Sequence, residues 1–127
     1  MGTKKTNIKP GRFTLPWGLI LGFFLGASLL YAGWIKVLYP NGGEVLKTGT
    51  DIQIKWQSQD LNGKVVILLY KKGIKQEVIS NQTDNSGIFP WKISQDLPEG
   101  NDYRIRIRAL ADLAVNDFSD RDFTIKK

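Results

Sequence analysis

The stretch LPEGNDYRIRI, residues 97–107, decides the fold. Pro98-Glu99-Gly100 reads as a turn, and from Tyr103 onward the residues alternate strictly between apolar and charged. Alternation with period two is the mark of a strand with one buried face, because successive side chains leave a strand on opposite sides. A tyrosine at the start of such a strand, just after a turn, matches the tyrosine corner of β-sandwiches, in which the phenol is expected to return a hydrogen bond across the sandwich. Tyr103, Ile105 and Ile107 are thereby expected to point inward. Arg104, Arg106 and Arg108 are expected to form a ladder on the opposite face.

Working outward, the same grammar recurs at intervals of roughly ten residues. IKVLYP (35–40) ends in the PNGGE turn, and TDIQIKWQ (50–57) puts Ile52, Ile54 and Trp56 on one face. KVVILLYKKG (64–73), IKQEVIS (74–80), GIFPWKIS (87–94), NDYRIRIRAL (101–110) and SDRDFTIKK (119–127) complete a set of seven. No helical period interrupts them. The expectation is all-β, a seven-stranded antiparallel sandwich over residues 36–127, with Trp56 and Trp91 as large core rings. Asp84-Asn85-Ser86-Gly87 supplies a tight turn into the fifth strand.

These residues in this order resemble a known family. VLYPNGGEVLKTGTDIQIKW, VVILLYKKG, SGIFPWKISQDLPEGNDYRIRI and FSDRDFTI are similar to the immunoglobulin-like module of the Ser/Thr-rich, GPI-anchored yeast cell-wall proteins, with relatives among bacterial and archaeal surface proteins. The resemblance spans residues 35–126. It implies an extracytoplasmic Ig-like sandwich and no catalytic residue.

Before the strands, FTLPWGLILGFFLGASLLYAGWI (13–35) carries no charge, and its 23 residues would reach about 34 Å as a helix. The reading is a single transmembrane helix, with Trp17, Tyr31 and Trp34 at the two membrane interfaces. A cleaved secretion signal is the alternative, although the run is long for one; Gly26-Ala27-Ser28 is a tolerable cleavage site and Leu30-Tyr31-Ala32 a poor one. Gly18, Gly22 and Gly26 recur four apart, a small-xxx-small face suited to packing on another helix. Chance spacing of a residue common in membrane helices is the plain alternative.

The net charge of +6 divides unevenly. Residues 1–12 form a basic cytoplasmic tail with Lys4, Lys5, Lys9 and Arg12 and no acid, whereas the remaining fourteen Lys and Arg face all twelve Asp and Glu. The excess is therefore a topology signal, with the N-terminus cytoplasmic and the C-terminal domain periplasmic or extracellular, and not a nucleic-acid face. Cysteine and histidine are absent. With no thiol, no imidazole, no phosphate-binding Gly loop and no nucleophile beside a base, the expectation is no enzyme, no cofactor, no metal and no small-molecule substrate.

Two outward surfaces stand out. In the third strand, Val66, Leu68 and Tyr70 alternate with inward Val65, Ile67 and Leu69, which makes an apolar triplet either a partner interface or a small exposed patch. The arginine ladder is expected to pair with Asp120 and Asp122 across the sheet, or else to meet lipid headgroups or an acidic partner. Asp112 and Asp117 read as turn and edge residues. Taken together, the expected function is a non-catalytic single-pass accessory subunit. It would stabilise a larger membrane complex, with energy-converting, photosynthetic or respiratory complexes as natural hosts, and have transmembrane subunits and the bilayer as partners. The alternative is a membrane-anchored binding module for glycan or another surface polymer.

Overall fold

A computed structural model describes residues 33–127, and these form an all-β sandwich of nine strands. They are β1 (Trp34–Tyr39), β2 (Val45–Lys47), β3 (Asp51–Gln59), β4 (Lys64–Lys71), β5 (Ile74–Asp84), β6 (Ile88–Lys92), β7 (Gly100–Ala109), β8 (Asn116–Phe118) and β9 (Phe123–Lys126). The larger sheet runs β2-β9-β7-β4-β5, with β8 also pairing on β7; the smaller sheet runs β1-β3-β6. Strand β7 is long enough to serve two neighbours on one edge, β9 along its first residues and β8 along its last.

Seven of these strands coincide with the seven expected runs. The additional two, β2 and β8, are three residues each, too short for a period to register. The sandwich is also not wholly antiparallel, since β9 pairs with β2 in parallel, Thr124 beside Val45 and Lys126 beside Lys47. A second correction concerns the boundary. Trp34 and Ile35, expected as the end of the apolar helix, open β1, where Trp34 pairs with Gln59 and Ile35 is buried in the core. Ile35 and Val37 carry the inward alternation of that strand, so burial outweighs their continuity with the preceding apolar run. The expected helix up to residue 32, with Trp17, Gly18, Gly22, Gly26 and Tyr31, lies outside the described residues. Among the described residues no helix is long and apolar enough to cross a membrane.

The core lies between the two sheets. Val65, Ile67 and Leu69 of β4, Tyr103, Ile105 and Ile107 of β7, and Phe123 and Ile125 of β9 meet Ile35, Val37, Ile54, Trp56 and Trp91 of the smaller sheet. At about 25 cal/mol per Å² of apolar area, such clusters are the main source of stability in a domain without disulfides. The Tyr103 hydroxyl donates to the Pro98 carbonyl at 2.5 Å, so the corner forms locally with the preceding turn and not across the sandwich as expected, and the ring stacks on Phe123 at 6.1 Å.

Polar groups join the sheets at one corner. The buried Ser119 hydroxyl accepts from the Ile105 N–H at 2.9 Å and donates to the Pro40 carbonyl at 2.8 Å. The Asp117 carboxylate accepts the Val37 N–H at 2.8 Å, so β8 is tied to β1 of the other sheet. In the PNGGE turn, the Glu44 carboxylate accepts the N–H groups of Asn41 and Gly42 at 2.9 and 2.7 Å. Gly42 has φ 141°, and a side chain there would lie 2.7 Å from Arg121 Cβ, so the turn requires glycine on two counts.

Candidate interaction surface

The two surfaces that the sequence presents separately are one surface. Strand β4 pairs antiparallel with β7 in a register that sets Val66 beside Arg108, Leu68 beside Arg106 and Tyr70 beside Arg104. Directly opposed residues share a face, so the apolar triplet and the arginine ladder interdigitate on the outside of the larger sheet. The row continues across the sheet: Val78 of β5 lies beside Leu68, and Phe118 of β8 beside Arg106.

This register corrects the expectation of an open apolar patch. Val66 and Leu68 point outward, yet they are only 3% and 6% exposed. Their neighbours in register are arginines, whose aliphatic stems cover apolar surface while the guanidinium groups stay in water. What the face offers to solvent is therefore a layer of guanidinium and aromatic groups, with Phe118 at 37% and Val78 at 48% exposure beside it. Neither Phe118 nor Val78 stands out in the sequence. Phe118 lies in a three-residue strand, and β5 slips register against β4 at three places, which breaks any simple alternation.

Each arginine has a different partner. Arg104 forms an ion pair with Asp122, Nε to carboxylate at 2.7 Å, as expected for one half of the acidic pair. Asp120 does not join it. That carboxylate accepts from Asn41 Nδ2 at 3.0 Å and lies 3.8 Å from Lys36, because the β7–β9 pairing ends before the 120 position and turns its side chain towards β1. Arg106 donates from Nη1 to the Tyr70 hydroxyl at 3.1 Å and from Nε to Asn116 Oδ1 at 3.2 Å. Its guanidinium carbon lies 5.3 Å from the centroid of Phe118, within cation–π range, and Phe118 meets Tyr70 edge to face at 5.0 Å and 76°. Arg108 donates to the Ala109 carbonyl at 3.1 Å. Among the described residues, neither Arg106 nor Arg108 is in an ion pair.

Beside this row runs an open groove of about 440 Å³ lined by Tyr70, Lys72, Gly73, Asp102, Arg104, Phe118 and Asp122. Its walls are aromatic and its rim carries both signs of charge. Lys71 and Asp102 form a half-buried ion pair at 3.0 Å at its end, with the ammonium 5.4 Å from the Tyr103 ring. Burial raises the Tyr103 phenol pKa, and the nearby Asp102 and Glu77 charges push it the same way, so the phenol stays a hydrogen-bond donor.

Residues 39–125 match the family model of the Kre9/KNH-like N-terminal Ig-like domain. The chain belongs to this family. The match covers nearly all of the sandwich, and the family's Ig-like architecture agrees with the two-sheet arrangement described above. No curated protein and no solved structure matched the chain. Among the described residues no three His, Cys, Asp or Glu side chains cluster as a metal site would require.

Proposed function

We propose that this protein is a non-catalytic, single-pass membrane accessory subunit whose Ig-like sandwich caps an external part of a larger complex. In this reading residues 13–32 anchor it, the N-terminus is cytoplasmic and the sandwich lies on the periplasmic or extracellular side. Gly18, Gly22 and Gly26 pack against a helix of a neighbouring subunit.

The observation that supports it most is the outer face of the larger sheet, where Arg106 and Arg108 stand without a carboxylate partner among the described residues. Adjacent guanidinium groups on one face repel, and a partner carboxylate relieves that repulsion while the Tyr70–Phe118 pair supplies an apolar anchor. Arg and aromatic residues together are the composition of protein interface centres. A glycan module would favour a flat, open ring. Here Tyr70 and Phe118 meet edge to face and Arg106 lies over Phe118, which supports protein contact instead.

Mild solubilisation from the native membrane, followed by identification of co-migrating proteins, tests the reading. Arg106→Glu with Arg108→Glu is expected to reduce partner recovery at least fivefold while the chain's own level stays unchanged, and Gly22→Ile is expected to loosen the same complex. Migration of the wild-type chain alone would sink the proposal.

A further inference from the structure

One end of the sandwich is apolar in a way its fold does not require. Strands β1 and β8 run side by side in the same direction: Val37 is bonded to Asp117, and Asn41 to Asp120, its side-chain oxygen accepting the Asp120 N–H at 2.7 Å. Stepping back along both brings Trp34 to the same pole as residues 110–115. Two other loops end there. Gln59 pairs with Trp34, and the Leu110 N–H bonds the Lys64 carbonyl at 2.9 Å, so residues 60–63 join the pole. Lys64 pairs in turn with Asp84, which brings the turn at residues 84–87 alongside.

On this pole Trp34 is 44%, Leu110 42% and Leu113 64% exposed. Ala111 and Ala114 are exposed between them, and Leu61 is half-buried at the rim. A groove of about 470 Å³ beside Trp34 is lined by Trp34, Trp56, glutamine, serine and asparagine side chains and Gly87, without a charged group. The chain leaves the sandwich from this pole. Gly33 passes so close to the Asp60 carbonyl that a side chain would not fit there, and the uncharged run at residues 13–32 precedes it directly.

From these placements we infer that the 110–115 loop and Trp34 form a membrane-contact surface that sinks into the headgroup and acyl boundary of the bilayer. The inference rests on the proposed anchoring of residues 13–32. An apolar run separated from β1 by Gly33 alone leaves this pole no reach away from the lipid, and exposed Leu and Trp side chains gain free energy by leaving water. The charges at this pole agree with contact to neutral lipid. Lys64 is neutralised by Asp84 at 2.6 Å and Asp112 accepts the Ala114 N–H at 3.0 Å within its own loop; with Asp60 these acids outnumber Lys64 and the nearby Arg108, so no net positive charge is left at this pole. Anionic lipid therefore adds nothing to the attraction, in contrast to the basic outer face.

The chain has no cysteine, so single-cysteine variants report cleanly. In the full chain reconstituted into phosphatidylcholine vesicles, a polarity-sensitive fluorophore on Leu113→Cys is compared with one on Ile74→Cys, in the β4–β5 hairpin at the opposite pole. The label at position 113 is expected to be quenched by a lipid-borne quencher at least fivefold more than the label at 74, and by aqueous iodide at least fivefold less. Replacing a third of the lipid by phosphatidylglycerol is expected to leave both ratios unchanged. Leu110→Cys gives an independent reading.

Equal iodide quenching at 113 and 74, in protein that floats with the vesicles, would overturn the inference and leave the anchor intact. Protein that does not float overturns both. Shielding of position 113 from both quenchers means that a second copy of the chain covers the loop, and this too overturns lipid contact.

Discussion

Strand β4 is buried on both of its faces, but by different materials. On the inner face Val65, Ile67, Leu69, Ile105 and Ile107 are covered by the smaller sheet, and all five are at 0% exposure. On the outer face Val66 and Leu68 reach 3% and 6% under side chains that end in charge. Hydrocarbon packed on hydrocarbon is close-packed and rigid, whereas arginine stems are long, rotatable and free to re-pack. The same degree of burial therefore carries different weight on the two sides, and only the outer side can be uncovered by a partner without unfolding the domain.

The largest expected effect tests the inner face. Ile67→Ala is expected to lower stability by about 3 kcal/mol in urea unfolding, because the second sheet cannot collapse into the space it leaves. Leu68→Ala, one residue away, is expected to cost about 1.5 kcal/mol, since Arg106 can settle into the gap. Equal losses at the two positions would break the comparison and make the outer face a second core. Next comes the polar atom at the core's edge. Tyr103→Phe removes the donor to the Pro98 carbonyl and is expected to cost about 1 kcal/mol, measured the same way, with the Ig-like fold retained.

The smallest effect sharpens the boundary between the faces. Glu77, half-buried beside Leu69 on the edge strand β5, has its pKa raised by burial. A carboxyl with a raised folded-state pKa favours the fold while protonated, and that contribution is lost as pH rises through the folded value. Glu77→Gln is therefore expected to gain a few tenths of a kcal/mol over wild type at pH 7, with the gain vanishing below about pH 4, as read from thermal unfolding across pH.

Much of the fold was legible because period two is a local property. The inward set Tyr103, Ile105 and Ile107, the place of the tyrosine corner, and Trp56 and Trp91 in the core follow from residues within one strand and its turn. The β2 and β8 strands were not legible, since three residues carry no period and each is held by a distant partner. The candidate surface was half legible. Val66, Leu68, Tyr70 and the three arginines were correctly set on outward positions, but Phe118, Val78 and the separate fate of Asp120 depend on register and on bulges. Ser119 illustrates the same limit: nothing in its own segment marks it as buried, yet it is 1% exposed and its hydroxyl links Ile105 of β7 to Pro40 of the turn after β1.

By itself the sequence determined the class of fold, which residues of each long strand face inward, and an uncharged run long enough to span a bilayer ahead of the sandwich. These are matters of side-chain order along one segment, where alternation and burial require each other. Only the tertiary structure decided that the apolar triplet lies beneath the arginine ladder, that Arg106 and Arg108 have no carboxylate partner among the described residues, and that Trp34 shares a pole with the 110–115 loop. Each joins residues tens of positions apart, and their meeting depends on strand order and register, which no single segment encodes.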